Sequence, residues 1–379
     1  VWQNGYGSYQ FGMGGSMTML PDAVENTVGN SEVTWEKVRK QNYGIDLKMF
    51  GARLSLTADY FFEHRYDILS TRNTLPSIVA IELPLINLGE VDNRGYEISL
   101  GWNSRTEKID WWVQGNVSYS KNKIIFMDEV MPNYPWMAQT GRSTGLNYGY
   151  RFDRFLRADD FDADGALKSD GEGKPLLPVM SLGSPRPGDA LFKDLNGDGK
   201  IDGNDKTYFG YSQRPDYVLG LLGGFRYKNF EISMQWTAGL HASRMLSGEY
   251  RNAFGSTNGR ALLKFLADGR WTPENPDARF PRLTFLNKSH YLEDSDLWLM
   301  DGSYLRLKVA EIGYTFRDIP AFRKVGVKSL KVYFSGYNLL TLFSDLNDID
   351  IDPEGATSGS NIDSYPNVRI FNFGVNITF

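Results

Sequence analysis

In the stretch DLNGDGKIDGND, from Asp194 to Asp205, oxygen-bearing residues recur at every second position. Asp194, Asn196 and Asp198 offer side-chain oxygens, and Gly199 stands at the sixth place. The peptide carbonyl of Lys200 follows, then Asp202, and Asp205 closes a twelve-residue count. By this spacing one tight loop wraps a hard cation with six or seven oxygens, and glycine suits the sixth place because the chain turns sharply there. The chemistry it points to is structural binding of calcium or a similar divalent cation. Asp205 departs from the pattern, since a helix-flanked calcium hand usually ends in Glu, which reaches the ion with two oxygens. The competing reading is a hydrated acidic turn.

A second stretch, DDFDADG, supplies Asp160, Asp162 and Asp164 before Gly165, but Lys168 and Gly171 occupy the ninth and twelfth places, so an acidic turn is favoured over a metal loop. DIDIDPE, from Asp348 to Glu354, alternates three aspartates without the glycine turn. His64, His241 and His290 are too scattered for a zinc motif. With no cysteine, thiol nucleophiles, disulfides and thiolate metal sites are excluded. No GxSxG elbow and no evident pair of carboxylates across a cleft supports hydrolysis, so no enzyme activity is expected. Tyr134, Trp136, Tyr148, Tyr150 and Phe152 could stack on sugar rings, but packing of a loop's own core is the favoured role.

The chain has 379 residues and formal net charge −5, with no basic patch that would argue for nucleic acid. It begins at Val1, without an initiator Met or a signal-peptide pattern. No stretch approaches the length of apolar residues that a spanning helix needs, which leaves a membrane barrel open.

The elements that would position these loops are strands. In NVRIFNFGVNITF, Phe371, Phe373, Val375, Ile377 and Phe379 share one face, and Asn372, Gly374, Asn376 and Thr378 the other. The same period of two separates Phe230, Ile232, Met234 and Trp236 from Glu231, Ser233, Gln235 and Thr237. It also separates Tyr96, Ile98, Leu100 and Trp102 from Glu97, Ser99 and Gly101. Soluble sandwiches alternate too. Three further features favour a transmembrane antiparallel β-barrel: segments of about ten to fifteen residues, aromatic strand ends, and short turns alternating with long polar connections.

Strands are expected near 33–50, 52–69, 92–105, 108–122, 215–227, 229–244, 297–317, 328–341 and 366–379. Barrels of one chain have an even number of strands, so about nine implies the C-terminal part of a larger barrel, with further strands needed to cover its edges. Parity places residues 1–32 and 123–214 in extracellular loops and 366–379 as the last strand. The calcium-like motif then lies outside, where a metal would order a loop otherwise too long to hold a shape.

The segments TWEKVRKQNYGIDL, LGEVDNRGYEISL, PGDALFKDLNGDGKIDGNDKTYFG, DGSYLRLKVAEIGYTF and VYFSGYNLLTL, ending in YPNVRIFNFGVNITF, resemble the C-terminal part of a SusC/RagA-type TonB-dependent outer-membrane transporter of the Bacteroidetes. The resemblance covers most of the chain in the family's order. It implies an all-β barrel of 22 strands around an N-terminal plug, both plug and TonB box being absent from this chain. It also implies a SusD-type surface lipoprotein as lid, energy from the TonB complex, and import of large nutrients, chiefly oligosaccharides and sometimes peptides. On this reading Glu97, Gln114, Asn116, Glu231, Gln235, Asn372 and Asn376 line a wet interior and the apolar rows meet the lipid bilayer. The rivals are a peptide importer of the same family, a barrel that transports nothing, and a soluble calcium-stabilised glycan-binding β-protein.

Overall fold

A computed structural model describes residues 2–11, 18–25, 29–74, 84–106, 109–180, 183–254, 262–285, 289–317, 319–355 and 367–379. Nine long strands form one sheet, and we label them in chain order. They are β1 (Lys37–Met49), β2 (Leu54–Ser70), β3 (Ile86–Arg105), β4 (Ile109–Phe126), β5 (Tyr217–Tyr227), β6 (Phe230–Leu240), β7 (Tyr304–Arg317), β8 (Ser329–Leu342) and β9 (Ile370–Thr378). Each strand pairs with its neighbour in sequence, so the sheet runs from β1 to β9 as one meander with two open edges. The pairings from β4 onward are antiparallel. Among the described residues no helix is long and apolar enough to cross a membrane.

The expected strands match these nine, with informative differences at their ends. β3 begins at Ile86 and β4 continues to Phe126, both further toward the long connections than the alternation reached. β6 stops at Leu240, where His241 takes a left-handed backbone (φ 59°). Beyond it, Ser243–Met245 pairs with Leu299–Asp301, which the sequence had run into β7. A Cβ on Gly302 would sit 3.3 Å from Ala242, so glycine lets these two crossings approach. Within 1–32, expected as a loop, the backbones of Trp2–Phe11 and Thr18–Glu25 pair antiparallel.

Register fixes the two faces of the sheet, because directly paired residues share a face. One face is apolar, in rows Trp111–Phe225–Ile232–Ile312, Gly115–Leu221–Trp236–Leu307 and Val117–Leu219–Ala238–Leu305. Aromatic rows bound it. Tyr96, Tyr119 and Tyr217 stack in sequence near the long connections, with ring centroids 5.4 and 4.6 Å apart. Trp111, Phe225, Tyr227, Phe230 and Tyr314 gather near the short turns. The opposite face is polar: Asn116–Gly220–Thr237–Arg306–Thr341 form one row, and Ser233–Glu311–Ser335–Asn372 another. The expected interior residues Gln114, Asn116, Glu231, Gln235, Asn372 and Asn376 all fall on this face, and Ser118 of the same face donates to Glu97 at 3.4 Å.

The chain divides into two compact units, one of Val1–Asn42, Phe61–Arg94 and Asn122–Thr144, the other of Tyr43–Tyr60, Gly95–Lys121 and Gly145–Phe379. The second holds the hydrophobic core, and that core is not in the sheet. Among the described residues, only Ile124 and Ala238 of the buried apolar side chains belong to the nine strands. The rest come from the long connections: Tyr150, Leu156, Phe192 and Ile201 from the first, Leu246, Leu266, Phe280 and Trp298 from the second, Leu346 and Ile349 from the third. Exposed apolar strands beside a core built of loops suit a sheet whose outer face meets lipid.

Candidate functional site

The loop from Asp194 to Asp205 keeps the geometry that its glycines demand. Gly197 and Gly199 both have left-handed backbones (φ 76° and 81°), so the sixth place turns as expected. Its side-chain oxygens accept hydrogen bonds from the loop's own backbone amides. Asp194 accepts from the amides of Gly197 (2.7 Å) and Gly199 (2.8 Å), Asn196 from that of Asp198 (3.1 Å), and Asp198 from that of Lys200 (2.8 Å). Asp202 accepts from Asn204 at 2.8 Å. Asp205, fully buried, clasps the loop's two ends by accepting from the amides of Leu195 and Asp202, each at 2.8 Å. A Glu here would carry its carboxylate one bond further out, so the shorter acid suits a clasp onto nearby amides. Among the described residues no three of His, Asp and Glu are grouped so as to hold a metal ion. The residue types and their spacing fit a cation, and in this conformation the carboxylates accept from the loop's own amides.

Short strand pairs tie this connection together. Asn147–Gly149 pairs with Thr207–Phe209, and Phe152–Phe155 with Ala190–Phe192. Val179–Met180 runs parallel to Lys200–Ile201, beside the loop itself. Tyr150 is buried against Phe192 (centroids 4.9 Å apart) and lies under the Lys206 ammonium, 4.8 Å from its ring. Burial, then the nearby charges of Glu293, Asp205 and Asp202, push the Tyr150 hydroxyl up to about 12, so it stays neutral at physiological pH.

The remaining sequence candidates do not converge. Asp160 is held by Arg154 through two bonds of 2.7 and 2.8 Å and accepts from the Arg157 amide. Asp162 accepts from the amides of Asp164 and Ala166. Tyr148 packs on Tyr208, and Phe152 on Phe155, so these aromatics fill the loop core. In the other unit, Tyr134 and Trp136 stack on each other at 4.5 Å. Of the histidines, His64 meets Asp92 at 2.7 Å, His241 stacks on Tyr211, and His290 is buried against the Gly183 carbonyl.

One constellation escaped the sequence reading. Arg306, 3% exposed on the polar face of β7, donates to Asp352 (2.7 Å), Glu354 (2.8 Å) and the Thr341 hydroxyl (3.1 Å). Lys308 and Tyr304 also reach Glu354, at 2.6 and 3.2 Å. The buried Arg244 donates to the Pro353 carbonyl between the two acids. The acids of DIDIDPE thus strap the connection after β8 to the polar wall. Burial alone would push Asp352 up, but hydrogen bonds from Arg306 and from the Glu354 and Asn367 amides hold its carboxyl below the usual Asp value. Beside this strap Arg306, Asn338, Thr341, Asn347 and Arg369 line a polar recess of about 380 Å³. Acids at alternate positions were the visible signal; their partner, 46 residues away, was not.

Comparison with known proteins follows the same chain course. The family model for TonB dependent receptor-like β-barrels matches residues 2–339. TonB-dependent receptor P3 of Formosa agariphila is 30% identical over 377 residues, covering 92% of this chain and 35% of the relative. TonB-dependent receptor SusC of Bacteroides thetaiotaomicron is 24% identical, covering 100% of this chain and again 35% of the relative. Among solved structures, the RagAB peptide importer in its open-open state superposes with a TM-score of 0.66 at 19% identity, over 100% of this chain and 38% of the matched one. The chain therefore spans about a third of the length of the curated relatives it matches.

Proposed function

The chain belongs to the TonB-dependent receptor-like β-barrel family of the outer membrane, and from that premise we propose that it forms the C-terminal part of an active importer of large nutrients. The observation that carries this is the two-faced meander: an apolar face between aromatic belts, backed by a polar face that would form the interior of a closed barrel. Members of this family are transporters and receptors rather than enzymes. Missing strands and a plug would complete the barrel, a SusD-type lipoprotein would cover its mouth, and the TonB complex would supply energy. The cargo is an oligosaccharide, in keeping with the SusC-type motifs; a peptide is the second reading, favoured by the fold shared with a peptide importer.

Uptake by intact cells tests the reading. A panel of fluorescently labelled neutral oligosaccharides and labelled peptides is offered to cells with and without the whole gene. The expected result is accumulation of an oligosaccharide that needs the gene and is abolished by a protonophore. Gene-dependent uptake of peptides alone would select the second reading, and uptake of neither class would sink the importer.

Calcium at Asp194, Asn196, Asp198, Lys200, Asp202 and Asp205 is a separate proposal, supported by their spacing and by the left-handed backbone of Gly199. Binding would swing the exposed carboxylates off their backbone amides, so affinity would be modest. Calorimetry of the intact transporter with calcium alone checks it: heat of binding in the wild type, lost in Asp198→Ala, is expected. No binding at millimolar calcium refutes it.

A further inference from the structure

On the apolar face, between the Tyr96–Tyr119–Tyr217 belt and the middle of the sheet, lies a groove of about 590 Å³. Its walls are Leu100, Leu221, Trp236 and Leu305, and its floor is low where the rows carry Gly115 and Ala238. Glycine inside a strand forfeits packing and ordinarily marks a bend or a close approach by something else. Gly115 serves no approach of the protein itself. A Cβ built there would find its nearest neighbours at 3.9 and 4.0 Å, from Leu221 and the Gly220 carbonyl. The small residue leaves room on the outside of the sheet, which no described residue fills.

The belts say what does fill it. Gly115 is four residues from Tyr119 along β4, about 13 Å of strand, or roughly 10 Å of depth at the tilt usual for such barrels. Aromatic belts mark the edges of the hydrocarbon, so the groove lies within it, in the leaflet on the side of the long connections. No charged side chain lines the groove, and its lining residues Asn116 and Thr237 belong to the opposite face, so a headgroup finds no ionic partner there. Leu100 and Leu221, 50% and 47% exposed, stand as its rims.

We propose that this groove seats one acyl chain of a lipid from that leaflet, held as a discrete ligand rather than as part of the exchanging annulus. The seat is independent of the cargo, because it lies on the opposite face from the polar rows. The groove touches the chain over more of its surface than a flat lipid face would, and that added contact slows its departure.

The test uses the whole transporter, extracted from its own membrane in mild detergent and measured by native mass spectrometry. Wild type should retain one lipid per transporter, identified after release. Gly115→Leu fills the groove and should lower retention at least tenfold, with barrel assembly and melting temperature unchanged. Val113→Leu, on the same face one row toward the turns, should retain the lipid. Should Gly115→Leu fail to assemble, Gly115→Val offers a smaller filling with the same expected loss. Equal retention in a filled variant, or none in wild type, overturns the proposal. So does a dimer that the Gly115 variant splits, since the occupant would then be a second copy of the chain.

Discussion

Arg306 holds Asp352, Glu354 and Thr341 at once, and its removal leaves Asp352 buried without a counter-charge. Breaking a buried pair from one side costs about 3–5 kcal/mol. Glu354 would keep Lys308, so most of the cost falls on Asp352. Arg306→Met should therefore speed amide hydrogen exchange over residues 345–355 by about 100-fold or more at neutral pH, since each 1.4 kcal/mol is a factor of ten. The pH dependence has a definite sign. The folded carboxyl of Asp352 is held below the ordinary Asp value of 3.8, so its contribution is complete above that value and is lost as pH falls through the still lower folded one. Wild-type protection of the strap should hold at pH 5 and fade only in stronger acid. Unchanged exchange in Arg306→Met, or fading between pH 7 and 5, would show that the ion cluster does not hold the strap.

At the scale of elements, the strands were legible because the bilayer writes a period of two onto them. Phe371, Phe373, Val375 and Ile377 stay exposed and apolar on one face of β9 whatever their neighbours do, so alternation alone located the strand. The strand ends were less so. Ile86 and Phe126 extend a hairpin past the region where lipid imposes alternation, and pairing there depends on the partner strand rather than on local pattern. Leu299–Asp301 merged with β7 because nothing local to Met300 announces that its partner is Arg244 rather than a strand of the sheet. In the calcium-like loop the oxygen-bearing residues were legible and their backbone partners were not. Spacing shows which oxygens one loop could bring together, but not that Asp205 is buried and already claimed by the amides of Leu195 and Asp202. Arg306 was invisible for the converse reason: it sits among apolar residues in YLRLKVA, and its acids lie beyond β8.

For the whole molecule, the sheet and the long connections draw stability from different sources. The sheet rests on its ladder of backbone hydrogen bonds and on the lipid around it, because an unpaired amide is costly in hydrocarbon. The connections rest on a shared core in which Trp298, 1% exposed, stacks on Phe280 with centroids 5.9 Å apart and joins segments as distant as Tyr150 and Leu346. That core ties the second half of the connection spanning 127–216 to the two other long connections. Truncating a buried Trp costs about 3–5 kcal/mol, a large share of what holds a loop assembly of this size. Trp298→Ala should thus expose 145–214 and 243–300 to protease together, with chelator present throughout. The barrel should keep its folded mobility on gels before heating, since few of its own contacts are touched. Cleavage confined to one connection would mean that the loops order separately, and loss of the folded barrel band would mean that the core supports the sheet as well.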